Sequence, residues 1–135
     1  MKLDINTIGH INVFENITGC KVKDCINNNG KLIFLVEEST LGKALGKKGS
    51  NVQRARNIMK KDIQVIAFSE DLIKFLSYLI YPNKADISFS DGIITIKAPD
   101  TSTKGKIFGR ERENLKRINE ILKRHFKDIK EIKII

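Results

Sequence analysis

Apolar residues first recur at helical spacing in Ile8, Ile11, Phe14 and Ile17, a stripe that Asn6 or Thr7 can cap and Gly19 stops. The spacing predicts an opening helix. Over residues 20–26 the pattern alternates, with Val22 and Ile26 against Lys21, Lys23 and Cys25. Asn27-Asn28-Asn29-Gly30 is turn chemistry, and residues 32–36 form a continuous apolar run. Together these predict a hairpin with a buried second strand. After Ser39 and Thr40 come a short helical piece to Leu45, the tetrapeptide Gly46-Lys47-Lys48-Gly49 and a helix from 50 to about 61. That helix carries Val52, Ala55 and Met59 on one face, and residues 63–68 read as a strand.

From Ser69 the order begins again. Ser69 is placed to cap a helix with Leu72, Leu76 and Leu79 inward, Glu70 and Asp71 suit its positive end, and Pro82 closes it. Ile87 and Phe89 alternate with polar residues up to Asp91-Gly92, a strong hairpin signal, and Ile94 and Ile96 continue beyond it. Thr101, Ser102 and Thr103 precede a short helical piece to Phe108, followed by Gly109-Arg110-Glu111-Arg112. A helix with Leu115, Ile118 and Leu122 inward and a strand over 129–135 complete the chain. A shift of 63 residues superposes Gly42 on Gly105, Lys43 on Lys106, Gly46 on Gly109, Asn51 on Asn114 and Arg54 on Arg117. The chain therefore reads as two tandem units, 1–68 and 69–135, each helix, strand, strand, helix, helix, strand. No Gly-, Ser- or Pro-rich linker separates them, which predicts a fixed mutual orientation.

Composition narrows the function. Of 135 residues, 25 are Lys or Arg and 16 are Asp or Glu, for a formal charge of +9. Residues 42–61 hold +7 with no acid, and residues 104–127 hold +6, so the other 91 residues sum to −4. Charge gathered around the two tetrapeptides is the footprint expected on a polyanion, although a Lys-rich solvated helix face gives a similar count without any ligand. With 41% apolar residues the chain can form a core. Its longest apolar run falls far short of the about 18 residues that span a bilayer, and the opening MKLDINTIGH has no leader-like apolar stretch. A soluble, intracellular protein is expected.

Cys20 and Cys25 would face opposite sides of a strand, which disfavours a bridge. With His10 and His125 they match no usual zinc spacing. Two His and two Cys also assemble no catalytic triad or metal cluster, so neither an enzyme nor a cofactor is expected.

Glycines on both sides of Lys47 and Lys48, ahead of a helix, let backbone approach a ligand closely and turn amides outward, which is anion-binding geometry. The spacing after Gly42 is not that of a P-loop, and no GxGxxG occurs. Seven Phe, two Tyr and no Trp are few for a stacking-based single-strand binder, and Phe14, Phe34 and Phe75 read as core. A basic adaptor for acidic proteins and a reader of duplex DNA are the competing uses of this charge, but no recognition helix for duplex DNA is evident.

The GxxG loop within this element order resembles the KH RNA-binding module, whose loop clamps the backbone of four nucleotides. With the helix first and the hairpin before the loop, it is similar to the type II version. The resemblance implies an α+β fold of two tandem type II KH domains, each αββααβ, a three-stranded sheet packed on helices. The gapless pairing, with NVFENITGCKVKDCI, VEESTLGKALGKKGSNVQRAR and the closing KRHF, resembles the archaeal NusA-type transcription termination/antitermination factors along essentially the whole chain. This implies a cytoplasmic, monomeric protein that holds single-stranded nascent RNA on one extended surface. RNA polymerase or other transcription factors would be its further partners. Bacterial relatives add a polymerase-binding domain and an OB-fold domain, for which 135 residues leave no room. A KH factor of ribosome assembly or RNA decay would show the same sequence features.

Carried onto this chain, Gly46 and Gly49 allow close backbone approach, Lys47 and Lys48 meet phosphates, and Lys43 and Arg54 flank them. In the second loop, Gly109, Arg110 and Arg112 take those places, with Arg117 matching Arg54. Arg112 stands where glycine is expected and Glu111 sets a negative charge in the phosphate path, so the first unit is expected to grip better.

Overall fold

The computed structural model describes residues 5–28 and 30–135. Residues 1–4, in the opening stretch where no leader was expected, and Asn29 of the expected first turn lie outside them. The chain divides between Ser69 and Glu70 into two compact units. The first contains α1 (Ile5–Thr18), β1 (Val22–Asn28), β2 (Lys31–Glu37), α2 (Leu41–Leu45), α3 (Ser50–Met59) and β3 (Asp62–Phe68). The second repeats them as α4 (Leu72–Ile80), β4 (Asp86–Ser90), β5 (Ile93–Lys97), α5 (Thr101–Phe108), α6 (Glu113–His125) and β6 (Glu131–Ile134). Each unit holds one three-stranded mixed sheet packed on helices, in the αββααβ order of a KH-like module.

In both sheets the hairpin strands pair antiparallel and the last strand pairs parallel with the second, Leu32 opposite Ile63 and Ile94 opposite Ile132. A parallel pair cannot be joined by a tight turn, so the chain must cross over the sheet. The crossover is the two-helix segment that carries each tetrapeptide. Sheet topology thus puts each loop at a junction between two helices.

The first core gathers Phe14 from α1, Ala44 from α2, Val52 and Ala55 from α3, and Leu32, Phe34, Val36 and Ile63 from the sheet. The rings of Phe14 and Phe34 stack with centroids 4.2 Å apart. Phe75, Leu76 and Leu79 of α4, Ile94 and Ile96 of β5, Ile107 of α5, and Ile118 and Leu122 of α6 are buried in the second unit. In the second hairpin, Asp91 and Gly92 take φ of 52° and 80°, the positive pair that a two-residue turn demands.

Several local expectations are corrected. Asn6 and Thr7 lie inside α1, and Ile8 is exposed. Helix α4 is capped by Asp71, whose carboxylate accepts from the amides of Ile73 and Lys74, rather than by the buried Ser69. Helix α3 stops at Met59, because Lys60 turns left-handed at φ 57°. The last strand spans Glu131–Ile134, shorter than 129–135.

The alternation expected over 20–26 also fails. A bulge between Val22 and Asp24 sets Val22 opposite Val36 and Cys25 opposite Phe34. One extra residue reverses the phase, so Cys25 joins Val22 in the helix-facing core and Ile26 turns to the other face. Cys20 precedes the strand and enters the same core, and both thiols are free. Among the described residues no helix is long and apolar enough to cross a membrane.

Candidate nucleic-acid interface

The two tetrapeptides follow one backbone path. Gly46 has φ 76° and ψ 173°, and Gly109 has 74° and 170°. Lys48 and Glu111 are left-handed at φ 54° and 55°, and the fourth residues follow, Gly49 at 75° and Arg112 at 63°. Hydrogen bonds repeat as well. The Gly46 amide donates to the Gly42 carbonyl at 3.0 Å and the Gly49 amide to that of Gly46 at 3.1 Å. In the second unit Gly109 donates to Gly105 at 2.9 Å and Arg112 to Gly109 at 3.2 Å.

The loop amides are therefore not all turned outward, as the glycine spacing suggested. Those of both glycines in the first loop close its own turns, and the Ser50 amide bonds the Lys47 carbonyl. The Lys47 and Lys48 amides take part in none of these bonds. A left-handed Arg112 costs about 1 kcal/mol relative to glycine. It is accommodated because a Cβ at the matching Gly49 meets nothing within 4 Å. The glycine missing from the second loop changes its side chains without changing its fold.

The first glycine of each loop has no such freedom. A Cβ on Gly46 would lie 2.8 Å from the Asn51 amide nitrogen, and one on Gly109 2.7 Å from the Asn114 side chain. These asparagines, matched by the 63-residue repeat, pin the turns. Asn51 Nδ2 donates to the Lys43 carbonyl at 2.9 Å, and Asn114 Nδ2 donates to that of Lys106 at 3.1 Å. Each ties the N-terminus of the longer helix to the short helix before it. The sequence displayed the pair but not its role, which only the loop's geometry makes visible.

Lys47, Lys48 and Arg54 are exposed, so the first loop and the turn of α3 behind it present cations with no carboxylate among them. Lys43 is also exposed, and a methyl added at Gly19 would sit 3.6 Å from its ammonium, which places that cation by the C-terminal end of α1. Negative helix-end charge favours it there. Arg110, Glu111 and Arg112 are exposed, and the Arg112 guanidinium lies over the Phe108 ring at 5.5 Å. Arg117 differs from its repeat-mate Arg54. It is half-buried, and desolvation holds its guanidinium below the ordinary arginine range. At the start of α5, Asp100 accepts the Thr103 amide at 2.6 Å, and this hydrogen bonding keeps its carboxyl below the usual carboxylate value.

Leu115, expected inward with Ile118 and Leu122, is only half-buried and lines a groove between α6 and β6. Among the described residues no three His, Cys, Asp or Glu side chains gather as a metal site requires.

No family model matches the chain. The probable transcription termination protein NusA of Methanocaldococcus jannaschii is 33% identical over 140 residues, covering all of this chain and 75% of that protein. Its namesake from Methanococcus vannielii is 30% identical over 139 residues, covering all of this chain and 80% of that protein. A solved structure, the crystal structure of APE1850, aligns at TM-score 0.78 and 28% identity, covering 98% of this chain and 100% of that one. With a relative one-third identical across all of this chain and three quarters of that relative's own length, this chain belongs to the archaeal NusA family.

Proposed function

We propose that this chain binds single-stranded nascent RNA through its two glycine-led loops and acts in transcription termination or antitermination. One observation carries the RNA-binding reading: the same loop backbone is built twice ahead of a helix, with Lys47 and Lys48, or Arg110 and Arg112, displayed to solvent. Exposed lysines and arginines suit phosphate oxygens, and a loop carried between two helices suits a flexible strand better than a rigid duplex. Gly46, Gly49 and Gly109 shape the two loops, Lys43 and Arg54 extend the first cationic surface, and Arg117 backs the second. The modules are taken as 1–68 and 69–135. The transcription role rests on family membership, and RNA polymerase or other transcription factors would be partners in it. The chain acts by binding, as a cytoplasmic monomer without a cofactor.

Fluorescence anisotropy of labelled single-stranded RNA and duplex DNA over a salt series tests this reading. RNA-selective binding is expected, with a log–log salt slope of about −0.7 per phosphate contacted, so about −3 for four contacts. Equal affinity for both nucleic acids would overturn the reading.

A further inference from the structure

The second sheet leaves one edge open in a way the first does not. Strand β1, an edge of the first sheet, carries a bulge between Val22 and Asp24 and an exposed Lys23. Bulges and lysines keep an edge strand from pairing with another chain. Strand β4, the matching edge, has neither. It pairs with β5 in unbroken register from Asp86 to Ser90, contains no Lys or Pro, and joins no other strand among the described residues. Asp86, Ser88 and Ser90 are exposed, and Phe89 is 41% exposed although it lies opposite the fully buried Ile94.

The Asp91-Gly92 turn fixes which groups that edge offers. A two-residue turn closes on a hydrogen-bonded pair, here Ser90 and Ile93, and such pairs alternate along an antiparallel ladder. Asp86, Ser88 and Ser90 therefore use their backbone groups on β5, while the amides and carbonyls of Ile87 and Phe89 point to the open side. A second β4, laid antiparallel with Ser88 opposite Ser88, meets these groups in register. Ile87 of each copy then exchanges both backbone hydrogen bonds with Phe89 of the other. Opposite residues of a ladder share a face, so these apolar side chains meet on the core side and the serines on the outer side. Charge matches too: exposed Lys84 precedes the strand and exposed Asp91 follows it, so antiparallel pairing brings each lysine towards the aspartate of the other copy. An edge complementary to itself in backbone, apolar pattern and charge selects a second copy of the same chain.

We propose that two copies bound to one transcript pair through their β4 edges, so that a long enough single-stranded RNA is bound cooperatively. This inference rests on the RNA-binding reading above and goes beyond it. A five-residue edge buries far less than the about 1,200 Å² of a stable interface, and each copy carries +9, so the chain stays single in free solution. Bound RNA removes both obstacles. Its phosphates offset the charge, and two sites on one flexible strand hold the copies at an effective concentration on the order of millimolar. Each copy uses the same edge, so the assembly closes at two.

Mobility-shift titrations of RNAs of about eight and about thirty nucleotides, which hold one copy and two, test this. The native chain is expected to bind the second copy to the longer RNA about tenfold more tightly than the first, after statistical correction. Ser88→Lys and Ser88→Asp each set like charges directly opposite one another across the pairing axis. Each variant should abolish the gain and leave affinity for the shorter RNA within about twofold, and either decides the matter if the other does not fold. An equimolar mixture of the two should recover a gain of about fivefold, because half of the doubly bound RNAs then set lysine opposite aspartate. Independent binding of two native copies, a gain that either folded variant retains, or a mixture of the folded variants that recovers nothing overturns the pairing and leaves RNA binding standing. Failure to bind either RNA overturns both.

Discussion

Gly46→Ala is expected to destabilise the first unit by about 3 kcal/mol, whereas Gly49→Ala, three residues on, should cost only about 1 kcal/mol. Both glycines have positive φ, but their surroundings differ. Gly46 combines φ 76° with ψ 173°, a region open almost only to glycine, and an added methyl would press to 2.8 Å on the Asn51 backbone nitrogen. Relief would require Asn51 to move, and with it the hydrogen bond to the Lys43 carbonyl that fixes the turn. Gly49 sits in the ordinary left-handed region, with open space around its Cβ position. Thermal unfolding should register a fall on the order of 10 °C for Gly46→Ala and a few degrees for Gly49→Ala. Equal falls would mean that the loop is not pinned at its first glycine. Arg112, at the position matching Gly49, is the molecule's own version of the milder substitution.

Reversing the charge of the first loop, Lys47→Asp with Lys48→Asp, should weaken single-stranded RNA binding by about 100-fold at low salt. The salt slope should become shallower by about 1.4, two contacts at 0.7 each. Both lysines are exposed, so the change removes no packing. Aspartate also tolerates the left-handed backbone of residue 48 better than lysine, and stability should hold. The matching reversal of Arg110 and Arg112 should cost less, because Glu111 already offsets one of those charges. Titrations of the two double variants measure this directly. A larger loss from the second loop would reverse the ranking of the two grips.

The order of elements was readable from apolar spacing because each element buries one face at its own period, and the repeat doubled every signal. The bulge at residue 23 was not readable. Alternation over 20–26 is compatible with either phase, and only pairing with β2 shows that Cys25 rather than Ile26 joins Val22. Asp71 took the cap from Ser69 because either residue can cap and the start of the helix decides between them. At the loops, sequence located the tetrapeptides and their charge. It could not show that Arg112 keeps the backbone path of Gly49, because the space around a Cβ is set by tertiary structure. The 63-residue register ends within the second repeat. Helix α6 runs three residues longer than α3, and the segment leading to β6 is longer as well, so Glu131 aligns with Asp62 only through strand pairing.

The central claim is tested most directly by following the amide resonances of the ¹⁵N-labelled chain as a single-stranded RNA of about eight nucleotides is added. The account predicts that the largest shifts fall at residues 46–49 and 109–112 and along the first turns of α3 and α6. Shifts confined to α1, α4 and the hairpins, with both loops silent, would contradict it.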